Sequence, residues 1–566
     1  MYNELIEKLN PKPKFNLEWY KDEDLYSDGP VEDTIINIIA ENEPEKYTDA
    51  ILNKMSWPTY YHLTHLRKNI LNWYPFDKEG SVLEIGCGLG AITSVLCDKC
   101  HDVTAVELSK RRAAAALLRC REKENLEIIV GNLNDIKFDK KFDYITLIGV
   151  LEYQGTFTDT DNPYLDFLME IKKLLKPDGK LLIAIENKYG LKYWCGARED
   201  HTGVPFEGMN QYTLSDRKVR TFARKELEEL VKDSGFANTF FYYPMPDYKL
   251  PTIVYSQDSL PDNENMHNLL PYYIPDKITL VADEMAIYKD VIANGAFEFF
   301  ANSFLVECSD SEDLGKVTRC SLSSERLLKY RIATVFTKDG TVEKFPLYEE
   351  GAAHVAQISK NGSVLEKRGR KVLPAQLLDG RLVSEYVKWE LAEERLLDAC
   401  RRKNKFEFYR ILDRVYQEIL ASSEHIAAEE NIICTMDIDK DSSPEKYGPI
   451  LRVGYLDMIL RNAFNADGDL VWFDQEWVLE SVPANFIFYR AVKEFYFSYQ
   501  WVDKIISLNE VGIKYNLVSA WNNYRMLEGM FLDTVVDMAH VEEGKIYRGG
   551  NKQACLENIK KLMRMA

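Results

Sequence analysis

Three polar side chains late in the chain, Asp457, Asn462 and Asp474, stand at a spacing suited to chemistry on phosphate. They lie in Tyr455–Trp477 (YLDMILRNAFNADGDLVWFDQEW). Asp457 is followed five positions later by Asn462, and Asp474 closes the apolar stretch Leu470–Phe473. An aspartate so placed can orient an attacking hydroxyl and accept its proton, which makes Asp457 a candidate catalytic residue. Asn462 and Asp474 offer the hard oxygens that magnesium favours, and because that ion keeps several waters two protein ligands suffice. Lys344 sits on the second strand of a hairpin expected over Tyr330–Thr337 and Thr341–Lys344. It is the natural cation for the phosphates of a nucleotide and the second candidate catalytic residue.

A second set lies near the start. Strand Ser81–Ile85 runs into Gly86-Cys87-Gly88-Leu89-Gly90, and a helix begins near Ala91. Glycines there let backbone N–H groups approach a ligand and let the helix pack closely on the strand. Glu107 ends the next strand, Val103–Val106. It falls about twenty residues past the glycines, where a carboxylate can accept both hydroxyls of a ribose. Gly86-x-Gly88-x-x-Ala91 also passes as a dinucleotide fingerprint, but Glu84 stands where such sites usually carry an apolar residue. Further elements follow: Gly131-Asn132 after a third strand, Ile145–Tyr153 (ITLIGVLEY) as the fourth, helix Tyr164–Leu175, Pro177-Asp178-Gly179 and strand Lys180–Ile185. Ser234-Gly235-Phe236 and strands Thr239–Tyr243 and Pro251–Tyr255 read as a closing antiparallel pair. Over residues 80–256 the sequence resembles class I S-adenosylmethionine (SAM)-dependent methyltransferases. The resemblance implies that Gly86, Gly88 and Gly90 cradle the methionine end of SAM, with Glu84 beside them. It also implies that Glu107 holds the ribose and Asn132 faces the adenine. Asn132 departs from the commoner aspartate.

Glu186–Gly203 (ENKYGLKYWCGAREDHTG) follows the carboxyl end of a strand, where ligands bind in open α/β sheets. Its Lys188, Lys192, Arg198 and His201 admit two readings: an acceptor pocket favouring an anion, or a solvated loop carrying an incidental histidine. Methyl transfer needs donor and acceptor aligned at near-attack distance, and a base only where the acceptor must lose a proton.

The elements that must position these residues fall into five stretches. Residues 1–77 read as an N-terminal helical, substrate-capping segment, 78–256 as the SAM-dependent methyltransferase domain and 257–302 as a connection. Residues 303–535 read as a second domain, with a strand-rich small lobe over 303–390 and a helix-rich large lobe over 391–535; a tail helix occupies 536–566. A β-rich lobe followed by an α-rich one is the layout of kinase-like folds. The expected fold class is α/β: a Rossmann-like class I methyltransferase domain followed by a bilobal (α+β) protein-kinase-like domain.

Several features depart from protein kinases. Tyr455-Leu456 replace the His-Arg that precedes the catalytic aspartate, and the metal turn reads Asp-Gln-Glu. The pattern resembles antibiotic and small-molecule phosphotransferases instead. That resemblance implies ATP and Mg2+, a helix Tyr348–Ser359 offering Glu350 to Lys344, and a hinge at Leu382–Val387 for adenine. Ser321–Arg326 (SLSSER) would stand in for the glycine-rich flap without a glycine. The order of the two domains resembles the bifunctional kinase–methyltransferases that terminate bacterial O-antigen polysaccharides. In that family the terminal sugar is phosphorylated and the phosphate is then methylated, which caps the chain. The resemblance implies a glycan or glycolipid acceptor, polysaccharide glycosyltransferases as partners, and a cytoplasmic location at the inner face of the plasma membrane. The family's long C-terminal coiled coil has no counterpart, since the last residues hold only a short basic helix, Ala554–Ala566, with Lys560, Lys561 and Arg564. That helix reads as docked, or as making at most peripheral membrane or partner contact. A methyltransferase whose kinase-like domain only binds glycan or nucleotide is the alternative.

Composition narrows the classes. A formal charge of −19 and a pI near 5.1 argue against nucleic-acid binding, which needs a basic surface. Ten cysteines without a paired framework read as reduced thiols, and the Cys97/Cys100 pair has no second pair to complete a zinc site. The charged, proline-containing start, Met1–Lys12, is unlike a signal peptide, and no apolar run approaches the roughly 18 residues of a membrane span.

Overall fold

A computed structural model describes residues 2–565 apart from 25, 55, 216–217, 263–270, 437, 440–442 and 467. The chain divides into two compact units. The first comprises residues 1–324, 335–339 and 538–566, the second 325–334 and 340–537.

The N-terminal part of the first unit includes helices α1 (Val31–Glu41) and α2 (Trp57–Leu63). Ser56 caps α2, its hydroxyl accepting the Thr59 N–H, with Pro58 tolerated in the first turn. The alternating run is β1 (Ser81–Ile85), α3 (Ala91–Lys99), β2 (Asp102–Glu107), α4 (Lys110–Arg119), β3 (Leu126–Val130), β4 (Phe142–Ile148), α5 (Pro163–Lys173) and β5 (Leu175–Glu186). Strands β3, β2, β1, β4 and β5 lie side by side in that order, all parallel. All five residues of β1 are buried, as expected of a strand covered on both faces. After α6 (Arg224–Asp233) come β6 (Asn238–Met245), β7 (Ile253–Ser256), α7 (Glu284–Ala293), β8 (Ser303–Ser309) and β9 (Val317–Leu322).

Strand β8 corrects the expected boundary at 303. It lies between β5 and β6 and runs antiparallel to both, with Val306 opposite Ile183 on one side and Phe241 on the other. Phe304, Leu305, Val306 and Cys308 are fully buried. A strand so apolar on both faces is satisfied only inside a sheet, so this sheet extends past residue 256. The expected pair of strands does form, as β6 against β7, but β8 is the antiparallel strand inserted beside β5. The connection expected over 257–302 contains α7, and its residues 263–270 lie outside the described residues.

In the second unit, β10 (Thr341–Pro346), α8 (Ala352–Lys367), β11 (Ala375–Leu378) and β12 (Arg381–Glu385) come first. β12 pairs antiparallel with both β10 and β11, and Lys344 faces Leu382 across the ladder. Helix α8 begins at Ala352, four residues later than expected, because Glu349–Gly351 form a 3-10 turn. Helices α9 (Ala392–Arg401) and α10 (Lys405–Ala421) follow, then β13 (Ile450–Tyr455), β14 (Ala463–Ala466), β15 (Asp469–Trp472) and β16 (Val478–Pro483). β13 pairs with β16 and β14 with β15, both antiparallel. Helices α11 (Ala484–Ser498) and α12 (Trp521–Asp533) complete a core in which Phe408, Leu456, Trp472, Phe486 and Ile487 are almost fully buried.

The last helices, α13 (Met538–Arg548) and α14 (Asn551–Met565), belong to the first unit. The Tyr547 ring stacks on Tyr60 with centroids 5.0 Å apart, and Asn558 Nδ2 donates to the Lys277 and Leu280 carbonyls at 2.7 and 2.9 Å. Among the described residues no helix is long and apolar enough to cross a membrane.

Candidate functional site

In the first unit a cavity of about 330 Å³ opens at the carboxyl ends of β1, β2 and β4. Glu84, Gly86, Gly88, Glu107 and Asn132 all line it. The Gly88 N–H donates to Glu107 Oε2 at 2.7 Å and the Ser109 N–H to Glu107 Oε1 at 3.1 Å, so the carboxylate is fixed at the end of β2. Each oxygen keeps a lone pair for a ribose hydroxyl. Glu84 is buried in mid-strand, and its Oε2 has no hydrogen-bond partner. Burial, with Glu107 adding to it, pushes its carboxyl up to about 7. Asn132 is half-buried, its Oδ1 accepting the Asn134 N–H at 3.0 Å.

Gly90 has a different part from the one expected. It does not line the cavity, and a Cβ there would sit 2.7 Å from Ala116 Cα at a φ of +78°. It is the residue that lets α3 pack tightly on α4, which is one of the established uses of glycine in such loops. Gly86 (φ +75°) and Gly88 (φ +54°) stay at the cavity wall.

Two groups at this cavity were not assembled from the sequence, although His201 was singled out there. The first is Arg112 on α4, whose Nη1 reaches Asp28 Oδ2 at 2.8 Å and Glu32 Oε1 at 2.9 Å. Tyr26, Trp57, Tyr61 and His62 join it from the N-terminal segment. The second group lies at the far end: Glu152, Tyr153, Asp200, His201, Tyr248 and Lys249. His201 Nε2 lies 3.3 Å from Glu186 Oε2 and 3.9 Å from Glu152 Oε1, and its Nδ1 is 3.0 Å from the Tyr153 hydroxyl. Burial pushes Glu152 up to about 8. Burial opposes the charge on His201, but Glu186, Glu152 and Glu199 outweigh it and raise the imidazole to about 9. Spacing could not have revealed this group, because its members come from three separate segments, with Glu186 from a fourth beside them.

Of the two readings of Glu186–Gly203, the cationic acceptor pocket is not assembled from its lysines and arginine. Lys188 pairs with Glu226 at 2.7 Å, Lys192 is buried against Asp200 at 2.8 Å, and Arg198 pairs with Asp276 at 2.8 Å. None of the three lines the cavity, and His201 is the member of that set which does.

In the second unit the four expected residues come together. β13 delivers Asp457 and β15 delivers Asp474, which adopts a left-handed φ of +55°. Asn462 Nδ2 donates to the Asp457 carbonyl at 3.3 Å. Lys344 Nζ reaches Asp474 Oδ1, and lies 3.4 Å from Glu476 Oε1. Glu350 is exposed and is not the partner of this lysine. Glu476 takes that place, and it also meets Arg326 and, at 3.4 Å, His354 of α8. Burial works against the Lys344 ammonium, yet Asp474 and Glu476 hold it above the ordinary lysine range. Burial pushes Asp457 up to about 7, with Glu476 contributing. Two backbone N–H donors, from Glu476 and Trp477, reach its Oδ2 at 3.0 and 3.1 Å. Asp474 and Asn462 carry oxygens of the kind a hard cation takes, with Asp474 Oδ1 engaged by Lys344.

Residues 83–183 match a family model described as a methyltransferase domain. A methyltransferase of Staphylococcus carnosus (strain TM300) is 31% identical over 155 residues, covering 27% of this chain and 62% of the relative. The malonyl-[acyl-carrier protein] O-methyltransferase of Priestia megaterium (strain DSM 319 / IMG 1521) is 28% identical over 124 residues, 22% of this chain and 42% of that protein. The chain thus spans 62% and 42% of the lengths of these two relatives. Among solved structures, Haemonchus contortus phosphoethanolamine N-methyltransferase 2 with S-adenosyl-L-methionine is 19% identical, covering 43% of this chain and 52% of that one at a TM-score of 0.27. A SAM-dependent methyltransferase from Thermotoga maritima is 15% identical, covering 48% of this chain and 100% of that one at a TM-score of 0.27. Over residues 83–183, then, the Rossmann-like parallel sheet of the first unit is similar to a methyltransferase domain.

Proposed function

We propose that this protein is a SAM-dependent methyltransferase joined to an ATP-dependent phosphotransferase, acting in sequence on the end of a bacterial surface glycan. In the first unit Gly86, Gly88, Glu84 and Glu107 hold SAM, and Asn132 borders the adenine. In the second, Asn462 and Asp474 hold magnesium, Lys344 meets the nucleotide phosphates, and Asp457 takes the proton of the acceptor hydroxyl. The observation that carries the two-site reading is the convergence of Lys344 on Asp474 from strands 130 residues apart. The glycan, the glycosyltransferase partners and the inner face of the plasma membrane come from the resemblance of the domain order alone.

One observation favours a second reading. Lys344 is already committed to Asp474 and Glu476, and the Glu350 position offers it nothing. A kinase-like unit that only binds nucleotide or glycan would tolerate this arrangement. Incubation with ATP, magnesium, SAM and a panel of oligosaccharides, read by mass, separates the two. Sequential catalysis gives phosphate gain, then methyl gain, and Asp457→Ala abolishes both. Methylation of unphosphorylated glycan by that variant at the normal rate would sink the coupling.

A further inference from the structure

Among the described residues of the first unit, Glu152 is an acidic group with both carboxyl oxygens buried and unpartnered. Its side chain is 1% exposed, yet neither carboxylate oxygen has a hydrogen-bond partner, and the residue lines the SAM cavity. Leaving a buried carboxylate so is costly unless something of opposite charge meets it. Nearby, Glu186 and His201 each bring one atom, and the three donor atoms lie within 4.8 Å of one another.

We propose that Glu152, Glu186 and His201 are the ligands of a divalent transition-metal ion at the far end of the cavity, where the ion takes an oxygen of the methyl acceptor. Three protein ligands with a remaining open position are what catalytic metal sites use. Ligand bonds of about 2.0–2.2 Å place donors of a tetrahedral site about 3.4 Å apart. The His201 Nε2 distances of 3.3 Å to Glu186 Oε2 and 3.9 Å to Glu152 Oε1 need little contraction.

The surroundings also fit. Ligating groups are normally held at their far atoms by hydrogen bonds. His201 Nδ1 is engaged by the Tyr153 hydroxyl at 3.0 Å. Glu186 Oε1 is held by Lys249, with the Tyr248 hydroxyl 3.4 Å away, which leaves Oε2 directed at His201. Lys249 also binds Asp200 Oδ1 at 2.7 Å, so its ammonium is anchored beside the site rather than in it. One imidazole and two carboxylates suit Mn2+, Co2+ or Zn2+. Glu186 and Asp200 already have cationic partners in Lys249 and Lys192, so Glu152 is the acid left for an added cation to meet. The acceptor part of the proposal rests on the methyltransferase reading; the ion site does not.

The test uses the full chain carrying Asp474→Asn, which removes the magnesium ligand proposed in the second unit. Titration with Mn2+, followed by loss of the free-ion paramagnetic resonance signal, is expected to give one equivalent per chain. Adding Glu152→Gln or His201→Ala should abolish it. Tyr153→Phe keeps all three ligands and should weaken binding about 10–100-fold, which covers the case in which a ligand variant does not fold. No Mn2+ or Co2+ bound, or unchanged stoichiometry in Glu152→Gln, overturns the proposal. SAM titrated into the same samples separates the two ideas: Mn2+ binding without SAM binding leaves the ion site standing and removes the methyltransferase reading.

Discussion

The Asp457 carboxylate is held by the backbone of Glu476. Its Oδ2 accepts the Glu476 N–H at 3.0 Å, while Oδ1 accepts no hydrogen bond among the described residues. One oxygen fixes the group and the other is left to take a proton. Asp457→Asn keeps the shape but cannot accept a proton as a base. Phosphate transfer to an oligosaccharide should fall by about 10²–10⁴-fold, with SAM affinity unchanged. With Asp457 raised to about 7, the wild-type rate should climb as pH passes through that value. Equal rates for wild type and Asp457→Asn would remove the residue from the reaction.

Gly90 packs α3 on α4 at a φ of +78°, with room for no side chain beside Ala116. Gly90→Ala combines left-handed strain with overpacking and should destabilise the protein by about 2–4 kcal/mol. Chemical unfolding measures this. A variant as stable as the wild type would mean that the helix can shift without cost.

Glu84 holds its proton more tightly in the folded chain, up to about 7 from an ordinary value of 4.5. Between those values the native state binds a proton that the unfolded chain has released. Stability is therefore full below about pH 4.5 and declines as pH rises to about 7, by about 3 kcal/mol from this group. Glu84→Gln should flatten that part of the curve. Denaturant midpoints for both proteins from pH 4.5 to 7.5 test it, and parallel curves would contradict it.

Arg112 neutralises Asp28 and the buried Glu32 while lining the cavity. Arg112→Met removes the guanidinium that both carboxylates share, leaving Glu32 with Arg111 and Asp28 with His62, and should cost about 1–3 kcal/mol. Arg112→Lys should recover only part, because a point charge cannot reproduce the guanidinium fork. Full recovery by lysine would show that only net charge matters.

Much of the parallel sheet was legible because it is local. Ser81–Ile85 reads as a strand from its apolar run, and the glycines and Glu107 follow at short, fixed distances. The insertion of Ser303–Ser309 between β5 and β6 was not legible. Its apolar run announces a strand but not a neighbour, and its partners lie more than 60 residues earlier. In the second unit, Asp457, Asn462 and Asp474 were legible because one short stretch carries all three. Glu476 in place of Glu350 was not, since the choice between two carboxylates depends on where α8 starts. The Glu152–Glu186–His201 group escaped for the opposite reason to the glycine loop: no spacing relates its members, and only the fold brings them within reach.

Calorimetric titration of the full chain with SAM tests the centre of this account most directly. One equivalent should bind to the wild type and to Asp457→Asn alike. Binding to Glu107→Ala, which loses the carboxylate held by Gly88 and Ser109, should be weaker by about 10–100-fold, as expected for hydrogen bonds to a charged group. Absence of SAM binding to the wild type, or equal affinity in Glu107→Ala, would contradict it.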